Sequence, residues 1–235
     1  MRKIIIALPK GRRLLIQAYD IFKKAGYTSQ SLEREIELHE LRQLEFGCGN
    51  GEAIFLLARV ADIPQYVDKN WADIGISAFD CYREYELEST ASRYSMYGDN
   101  FVTNIFADLK LCEKSRFCVA GEPKELEFYE QCKQNDDTIL TIATQHPNIA
   151  AKYFSKKNMV VDIITITGSS EIMPKHGEID AIFDIVESGR TLEENGLIIF
   201  EEAMPIKTKI LVSKAALKYD ENISKMIGRL ENVIK

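Results

Sequence analysis

The sequence lacks most of the features that would place a 235-residue chain outside the ordinary globular proteins. No apolar run reaches the roughly 20 residues that a membrane helix needs. The run Ile4-Ile-Ile-Ala-Leu8 is too short for a signal peptide and meets Pro9-Lys10 at once. Positive charge is not in excess. The formal net charge is −6, which argues against a nucleic-acid coat and makes any anion site local. The three histidines, His39, His146 and His176, show no metal-ligand spacing, so a zinc site made of protein groups alone is not expected. The five cysteines (Cys48, Cys81, Cys112, Cys118 and Cys132) are odd in number and form no Cys-x-x-Cys pair. Reduced, mostly buried thiols in a cytoplasm follow, rather than a disulfide frame. There is no fixed-period repeat, no low-complexity tract and no linker rich in proline or glycine.

The most informative stretch is Asp180-Ala-Ile-Phe-Asp-Ile-Val-Glu-Ser-Gly-Arg-Thr-Leu192. Ala181 to Val186 is apolar apart from Asp184, the pattern of a buried strand. Glu187-Ser-Gly-Arg-Thr is a tight turn, and a helix starting at Thr191 is stopped by Gly196. Such a strand, turn and helix start make an anion site, because free N–H groups and the positive end of the helix dipole meet there. Ser188 and Thr191 add hydroxyl donors, and Gly189 permits close backbone approach. Asp184 is badly placed for the anion itself. An ionised carboxylate only accepts hydrogen bonds, so it suits vicinal hydroxyls one sugar away. A ribose 5-phosphate combines the two groups. An ordinary strand–turn–helix with a capping Asp is the alternative this stretch leaves open.

The rest of the chain alternates strands and helices. Residues 3–8 form a strand, followed by Pro9-Lys10-Gly11-Arg12-Arg13 and an amphipathic helix over 14–25. Lys10 and Arg12 therefore lie at the carboxyl end of a strand, where open α/β sheets bind ligands. Residues 29–51 yield only a half-buried segment and a turn at 47–51. Ala53–Ala58 is a strand with Arg59 at its end. A helix opens near Asp62 and Pro64. Residues 72–76 are a strand with Asp80 just past it. Residues 84–100 read as a crossover between lobes. Strands follow at 102–109 and 117–120, with a surface helix and loop over 121–137. The β/α rhythm restarts with strands at 138–143 and 160–166 around a helix at 149–157. A short helix after Gly168 carries Glu171 in its first turn. Beyond the central stretch come strands at 197–200 and 207–212 and a helix over 219–235. This order predicts an α/β protein of two lobes around a central cleft, residues 1–95 plus 203–235 and residues 96–202.

Six blocks occur in order: Leu8-Pro-Lys-Gly-Arg12, Arg59-Val-Ala-Asp-Ile-Pro64, Ala72-Asp-Ile-Gly-Ile76 with Asp80, Ala143-Thr-Gln-His-Pro-Asn148, Gly168-Ser-Ser-Glu171 and the Asp180–Leu192 stretch. Together they resemble the ATP phosphoribosyltransferase family over nearly the whole chain. The resemblance implies a periplasmic-binding-protein-like (type II) pair of lobes, with the first on the ATP side. It implies the reaction of ATP with phosphoribosyl pyrophosphate, with Mg²⁺, to N1-(5-phosphoribosyl)-ATP and pyrophosphate in histidine biosynthesis. Chain length implies the short form, which lacks a regulatory domain and works as a homo-oligomer with a subunit similar to a histidyl-tRNA synthetase. No nucleic acid or membrane partner is implied. The family usually has a glycine where this chain has Ala78, and often a lysine where it has Gln145.

The residues suit that chemistry. Adenine N1 is already an unprotonated nucleophile, so the demand is for charge stabilisation at the leaving pyrophosphate and the ribose. Lys10 and Arg12 are candidates for the phosphate groups. Asp184 is the candidate carboxylate at the ribose, with Asp180 and Glu171 as further choices. Glu187, Ser188, Gly189, Arg190 and Thr191 would hold the 5-phosphate, and Arg59 and Asp80 would bind ATP. Mg²⁺ is expected through substrate phosphates rather than in a protein cage. A non-catalytic two-lobed small-molecule-binding protein is the competing reading, and a transferase acting on another base a third.

Overall fold

The computed structural model describes residues 2–92, 103–109, 111, 114–135, 137–176 and 178–234. The strands are β1 (Ile4–Pro9), β2 (Glu45–Gly47), β3 (Ala53–Ala58), β4 (Ile74–Ala78), β5 (Thr103–Leu109), β6 (Arg116–Gly121), β7 (Ile139–Thr144), β8 (Val160–Thr165), β9 (Ala181–Val186), β10 (Ile198–Pro205) and β11 (Thr208–Ser213). The helices are α1 (Arg12–Lys24), α2 (Gln30–Leu38), α3 (Ile63–Asp68), α4 (Phe79–Ser92), α5 (Leu126–Cys132), α6 (Pro147–Ser155), α7 (Met173–His176), α8 (Arg190–Glu194), α9 (Lys214–Tyr219) and α10 (Glu221–Ile234). The chain divides into two compact units, Met1–Leu111 with Lys207–Lys235, and Cys112–Ile206.

The first unit holds a sheet of order β2-β3-β1-β4-β11-β5. β1 runs parallel to β3 and β4, while β2, β11 and β5 are antiparallel to their neighbours. The Ile4–Pro9 run is buried at nearly every position, as expected for a strand covered on both faces. On one face α1 buries Leu15, Ala18, Tyr19 and Phe22. Tyr19 and Phe22 meet Phe55 of β3 edge-on, at ring-centroid distances of 5.3 and 6.1 Å. Ile223, Met226 and Leu230 of α10 join the same core. On the other face α3 lies so close to β4 that a Cβ on Gly75 would sit 2.6 Å from Ile63 Cγ2.

The second unit is built on β9, in the order β10-β6-β9-β7-β8. β7 and β8 are parallel to it, β6 antiparallel. Strand alternation sends Phe183 to one face and Ile182, Asp184 and Val186 to the other. Phe183 packs on Phe117, Tyr153 and Phe154, with centroids at 4.9, 5.3 and 5.7 Å. The opposite face buries Ile182 and Val186 with Ala143, Leu192 and Leu197. Glu201 of β10 ties in α5 and α6. It accepts from Tyr129 Oη at 2.9 Å, from Tyr153 Oη and from Lys157 Nζ, with Lys133 Nζ 3.6 Å away. Burial alone would raise its pKa. The hydrogen bonds from Lys157, Tyr153 and Tyr129 more than reverse this and hold it at about 2.

The structure departs from the expected layout in several places. β5 pairs with β11, so residues 103–109 belong to the first unit, and β10 runs on to Pro205 in the second. The boundaries expected at 95/96 and 202/203 therefore move. Polar composition at 84–100 suggested a crossover, yet α4 continues to Ser92, and residues 93–100 lie outside the described ones. The helix expected over 219–235 is α10, and a short helix not expected from the sequence, α9, precedes it, with extended Asp220 between the two. Cys48, Cys81, Cys118 and Cys132 are free thiols, and Cys112 lies outside the described residues.

Candidate active site

The carboxyl ends of β7, β8 and β9 come together in the second unit. Thr144, fully buried at the end of β7, donates its hydroxyl to Phe183 O at 2.7 Å and accepts from His146 N–H at 2.9 Å. Gln145 Nε2 donates to Gly168 O at 3.2 Å. The 3-10 turn Ser170–Ile172 follows β8 and reaches β9, where Ser170 Oγ donates to Asp184 Oδ2. The other oxygen of Asp184 accepts from Ile185 N–H at 2.6 Å.

After β9 the chain turns through Glu187, Ser188 and Gly189 into α8. Gly189 has φ +79°, a conformation that non-glycine residues adopt only at a cost. Helix formation leaves the first N–H groups of α8 without intrahelical acceptors. The N-cap, Gly189, has no side chain to cap this end, and Ser188 Oγ accepts from Arg190 N–H at 3.4 Å. Ser170, Glu171, Asp184, Glu187, Ser188, Gly189 and Thr191 line a cavity of about 260 Å³, floored by Ile182, Val186 and Leu192. A ligand pocket for a whole drug-sized molecule is typically about 300–1,000 Å³, so this cavity suits one sugar phosphate better than a nucleotide.

Two of the expected residues stand apart from it. Asp180 precedes β9 and is held by β7: its Oδ2 accepts from Thr141 N–H at 2.8 Å, and its N–H donates to Thr141 O at 3.0 Å. The Arg190 side chain is exposed and paired with Glu194 at 2.9 Å, as i,i+4 spacing on a helix favours. The helix begins at Arg190, one residue earlier than expected. Ser170 and Thr144 are the residues that sequence reasoning passed over. The only signal was two hydroxyl residues in quoted blocks, and neither had a partner visible in the sequence.

The other candidates lie along the carboxyl edge of the first unit's sheet. Pro9 and Ala58 are register partners, and Lys10 N–H donates to Ala58 O at 2.8 Å, so Lys10 and Arg59 leave adjacent strand ends. Both side chains are exposed. Arg12 opens α1 and hydrogen-bonds His39 Nε2, whose Nδ1–H donates to Glu37 O at 2.7 Å. Ser77 Oγ donates to Val60 O at 2.9 Å, bracing the end of β4 against the segment after β3. Asp80 lies just past the end of β4. It sits in the first turn of α4, is 4% exposed, and accepts from Cys81 Sγ at 3.4 Å. Burial, with that carboxylate adjacent, raises the Cys81 thiol well above its usual pKa. Ala78 is the last residue of β4, in register with Thr208. Lys209, in register with Ser77 near the same edge, is buried with Nζ 4.9 Å from the Phe79 ring centroid, and burial lowers its pKa.

Comparison with known proteins decides what this arrangement belongs to. The family model described as ATP phosphoribosyltransferase (HisG) matches residues 59–232. An ATP phosphoribosyltransferase of Listeria welshimeri is 37% identical over 236 residues, spanning 100% of this chain and 98% of its own length. One from Clostridium novyi is 38% identical over 237 residues, spanning 100% of this chain and 99% of its own.

The chain belongs to the ATP phosphoribosyltransferase family.

It is a transferase of the glycosyltransferase class and a catalytic chain of histidine biosynthesis. Members generally use a divalent metal. The structure of an ATP phosphoribosyl transferase (HisG:HisZ) complex from Thermotoga maritima matches with TM-score 0.67 and 27% identity over 98% of both chains. A Candida albicans protein with the generic periplasmic binding protein fold matches at TM-score 0.54 over 99% of this chain and 71% of its own, at 8% identity, and bears on fold alone. The fold is the two-lobed, type II periplasmic-binding-protein-like one, each lobe a mixed α/β sheet. Among the described residues no helix is long and apolar enough to cross a membrane.

Proposed function

We propose that the cavity after β9 holds the ribose 5-phosphate part of phosphoribosyl pyrophosphate, and that the carboxyl edge of the first sheet receives ATP. The reaction is attack of adenine N1 on the anomeric carbon, forming N1-(5-phosphoribosyl)-ATP and releasing pyrophosphate. The observation that carries this reading is the convergence of Asp184, Ser188, Gly189 and Thr191 on one cavity.

Asp184 accepts hydrogen bonds from the ribose hydroxyls and offsets positive charge growing on the sugar ring. Ser188, Thr191 and the backbone N–H groups of residues 189–191 take the 5-phosphate, with Arg190 contributing its main chain only. Glu187 lines the cavity wall. Lys10 and Arg12 bind phosphate groups of pyrophosphate or ATP, and Arg59 binds ATP. Lysine acts there as a point charge, whereas arginine can grip a phosphate with two parallel hydrogen bonds. Asp80 supports the fold of that edge from within α4, and Asp180 fixes the start of β9. Gln145, where a lysine is often found, bonds Gly168 O and so braces the wall that bears Glu171.

The metal is Mg²⁺. Among the described residues no group of three or more His, Cys, Asp or Glu could hold a metal. The hard oxygen donors that line the cavity are Asp184, Glu171 and Glu187. Together with substrate phosphate oxygens and water they would hold Mg²⁺, which is usually bound through one or two carboxylates plus phosphates. Bound there, the ion supplies charge neutralisation at the departing pyrophosphate. The chain works in the cytoplasm as a homo-oligomer with a histidyl-tRNA-synthetase-like regulatory subunit, the counterpart of the second chain in the Thermotoga maritima complex.

The test is incubation of the purified chain with ATP, phosphoribosyl pyrophosphate and Mg²⁺, with and without the partner, following the N1 adduct. Formation of the adduct by the parent and its loss in Asp184→Ala are expected. Tight binding of another solute with no turnover would instead favour the two-lobed binding protein.

A further inference from the structure

The way Asp184 is held carries more than its presence in the cavity. Ser170 is fully buried on the 3-10 turn Ser170–Ile172, and its hydroxyl donates to Asp184 Oδ2. Ile185 N–H donates to Oδ1 at 2.6 Å. An ionised carboxylate offers about four lone-pair positions. One on each oxygen is thus taken by the protein, leaving one on each for a ligand. Two acceptors on adjacent oxygens match two hydroxyls on adjacent carbons. Without the Ser170 hydroxyl, Oδ2 would have a second open position and the carboxylate would lose one of its two anchors.

We propose that Ser170 is a positioning residue that presets Asp184 for a vicinal diol, so that the cavity selects sugar 5-phosphates carrying both the 2- and 3-hydroxyls over their 2-deoxy counterparts. This rests on the reading that Asp184 faces the ribose. Glu171, next in the chain, also lines the cavity. One turn therefore supplies both a carboxylate on the wall and the clamp on the opposite carboxylate.

The experiment compares ribose 5-phosphate with 2-deoxyribose 5-phosphate by calorimetric binding to the full chain, alongside steady-state kinetics with phosphoribosyl pyrophosphate. The variants are Ser170→Ala, Ser170→Thr, Ser170→Cys and Asp184→Asn. Ser170→Ala should weaken ribose 5-phosphate binding roughly tenfold, the usual scale of one lost hydrogen bond to a charged group, and leave the deoxy sugar nearly unchanged. The ratio of the two affinities then contracts, and KM for phosphoribosyl pyrophosphate rises more than kcat falls. Ser170→Thr, which keeps the hydroxyl, should restore the ratio. A role in folding alone would weaken both sugars alike. If Ser170→Ala discriminates like the parent while Asp184→Asn does not bind, Ser170 has no such role and the reading of the cavity survives. If Asp184→Asn itself binds and discriminates like the parent, both fail. Should Ser170→Ala not fold, Ser170→Cys is measured in its place. Its thiol is a weak donor, so a contracted ratio supports the proposal and an unchanged one overturns it.

Discussion

The two candidate ligand regions are built on different principles. In the second unit one local segment, from Asp184 to Thr191, supplies acid, turn and helix start, and buried hydroxyls hold its beginning, Ser170 on Asp184 and Thr144 on Phe183 just before it. In the first unit Lys10 and Arg12 follow β1 and Arg59 follows β3, and all three stand exposed, with Arg12 hydrogen-bonded to His39. A preset carboxylate acts by geometry, and its effect should be large and insensitive to salt. Exposed cations act by charge, and their effect should be smaller and screened.

The largest effect expected is therefore from Asp184→Ala. It should lower turnover by a factor on the order of 10²–10³, the scale for removing one preorganised electrostatic group. Circular dichroism and the thermal midpoint should stay near the parent's, since Asp184 is only half-buried. Lys10→Ala and Arg59→Ala should each raise KM for a phosphate-bearing substrate by roughly tenfold, with the difference from parent shrinking as salt rises toward about 0.5 M. If the two sets of variants show equal salt dependence, the contrast between the regions is gone.

Gly189→Ala probes the turn from another side. With φ at +79°, an added Cβ meets only Val186 Cγ1 at 4.0 Å, so space is not the obstacle. The backbone conformation alone costs about 1–2 kcal/mol for an L-residue. We expect a higher KM for phosphoribosyl pyrophosphate and a thermal midpoint lower by a few degrees, read from melting curves with and without substrate.

Glu201 offers a comparison within the second unit, away from the cavity. Its pKa is held at about 2 against an ordinary 4.5. A depressed carboxylate stabilises the fold fully above the unfolded value and loses that contribution as pH falls through the folded one. The window is thus from about pH 4.5 down to about 2, with at most about 3 kcal/mol at stake. Glu201→Gln should unfold more readily than the parent at neutral pH, and the gap should close as pH drops through that window. Turnover of the folded variant should be unaltered. A gap that stays constant with pH would show that packing, not ionisation, makes Glu201 matter.

Legibility in the sequence followed the same divide between local and assembled. The Asp184–Thr191 segment was readable because its parts are contiguous and strand alternation fixes which way each side chain faces. β1, β3, α1 and β9 were readable because their apolar periods are long and bounded by glycine or a turn. Other features depend on pairings between distant residues. Nothing local tells that β5 joins β11 rather than the second sheet, that Asp80 is buried inside α4, or that Ser170 clamps Asp184. Asp180, just before β9, and Asp184, within it, make the point. Both are carboxylates four residues apart, yet Asp180 is used by Thr141 of β7 and Asp184 reaches the cavity.

The smallest effect expected is from Arg190→Ala, and its smallness is informative. A phosphate turn with an arginine in it invites a guanidinium–phosphate contact. In the structure the guanidinium instead pairs with Glu194, on an exposed face of α8. Exposed i,i+4 pairs contribute roughly 0.3–0.5 kcal/mol, so stability should hardly change. If the turn grips the 5-phosphate through main-chain N–H groups, KM should shift by less than about twofold, within what such a surface change produces. A tenfold rise in KM, measured beside Ser188→Ala, would mean that the arginine swings from Glu194 to the phosphate on binding, and that this turn, like the first unit's edge, works partly by mobile charge.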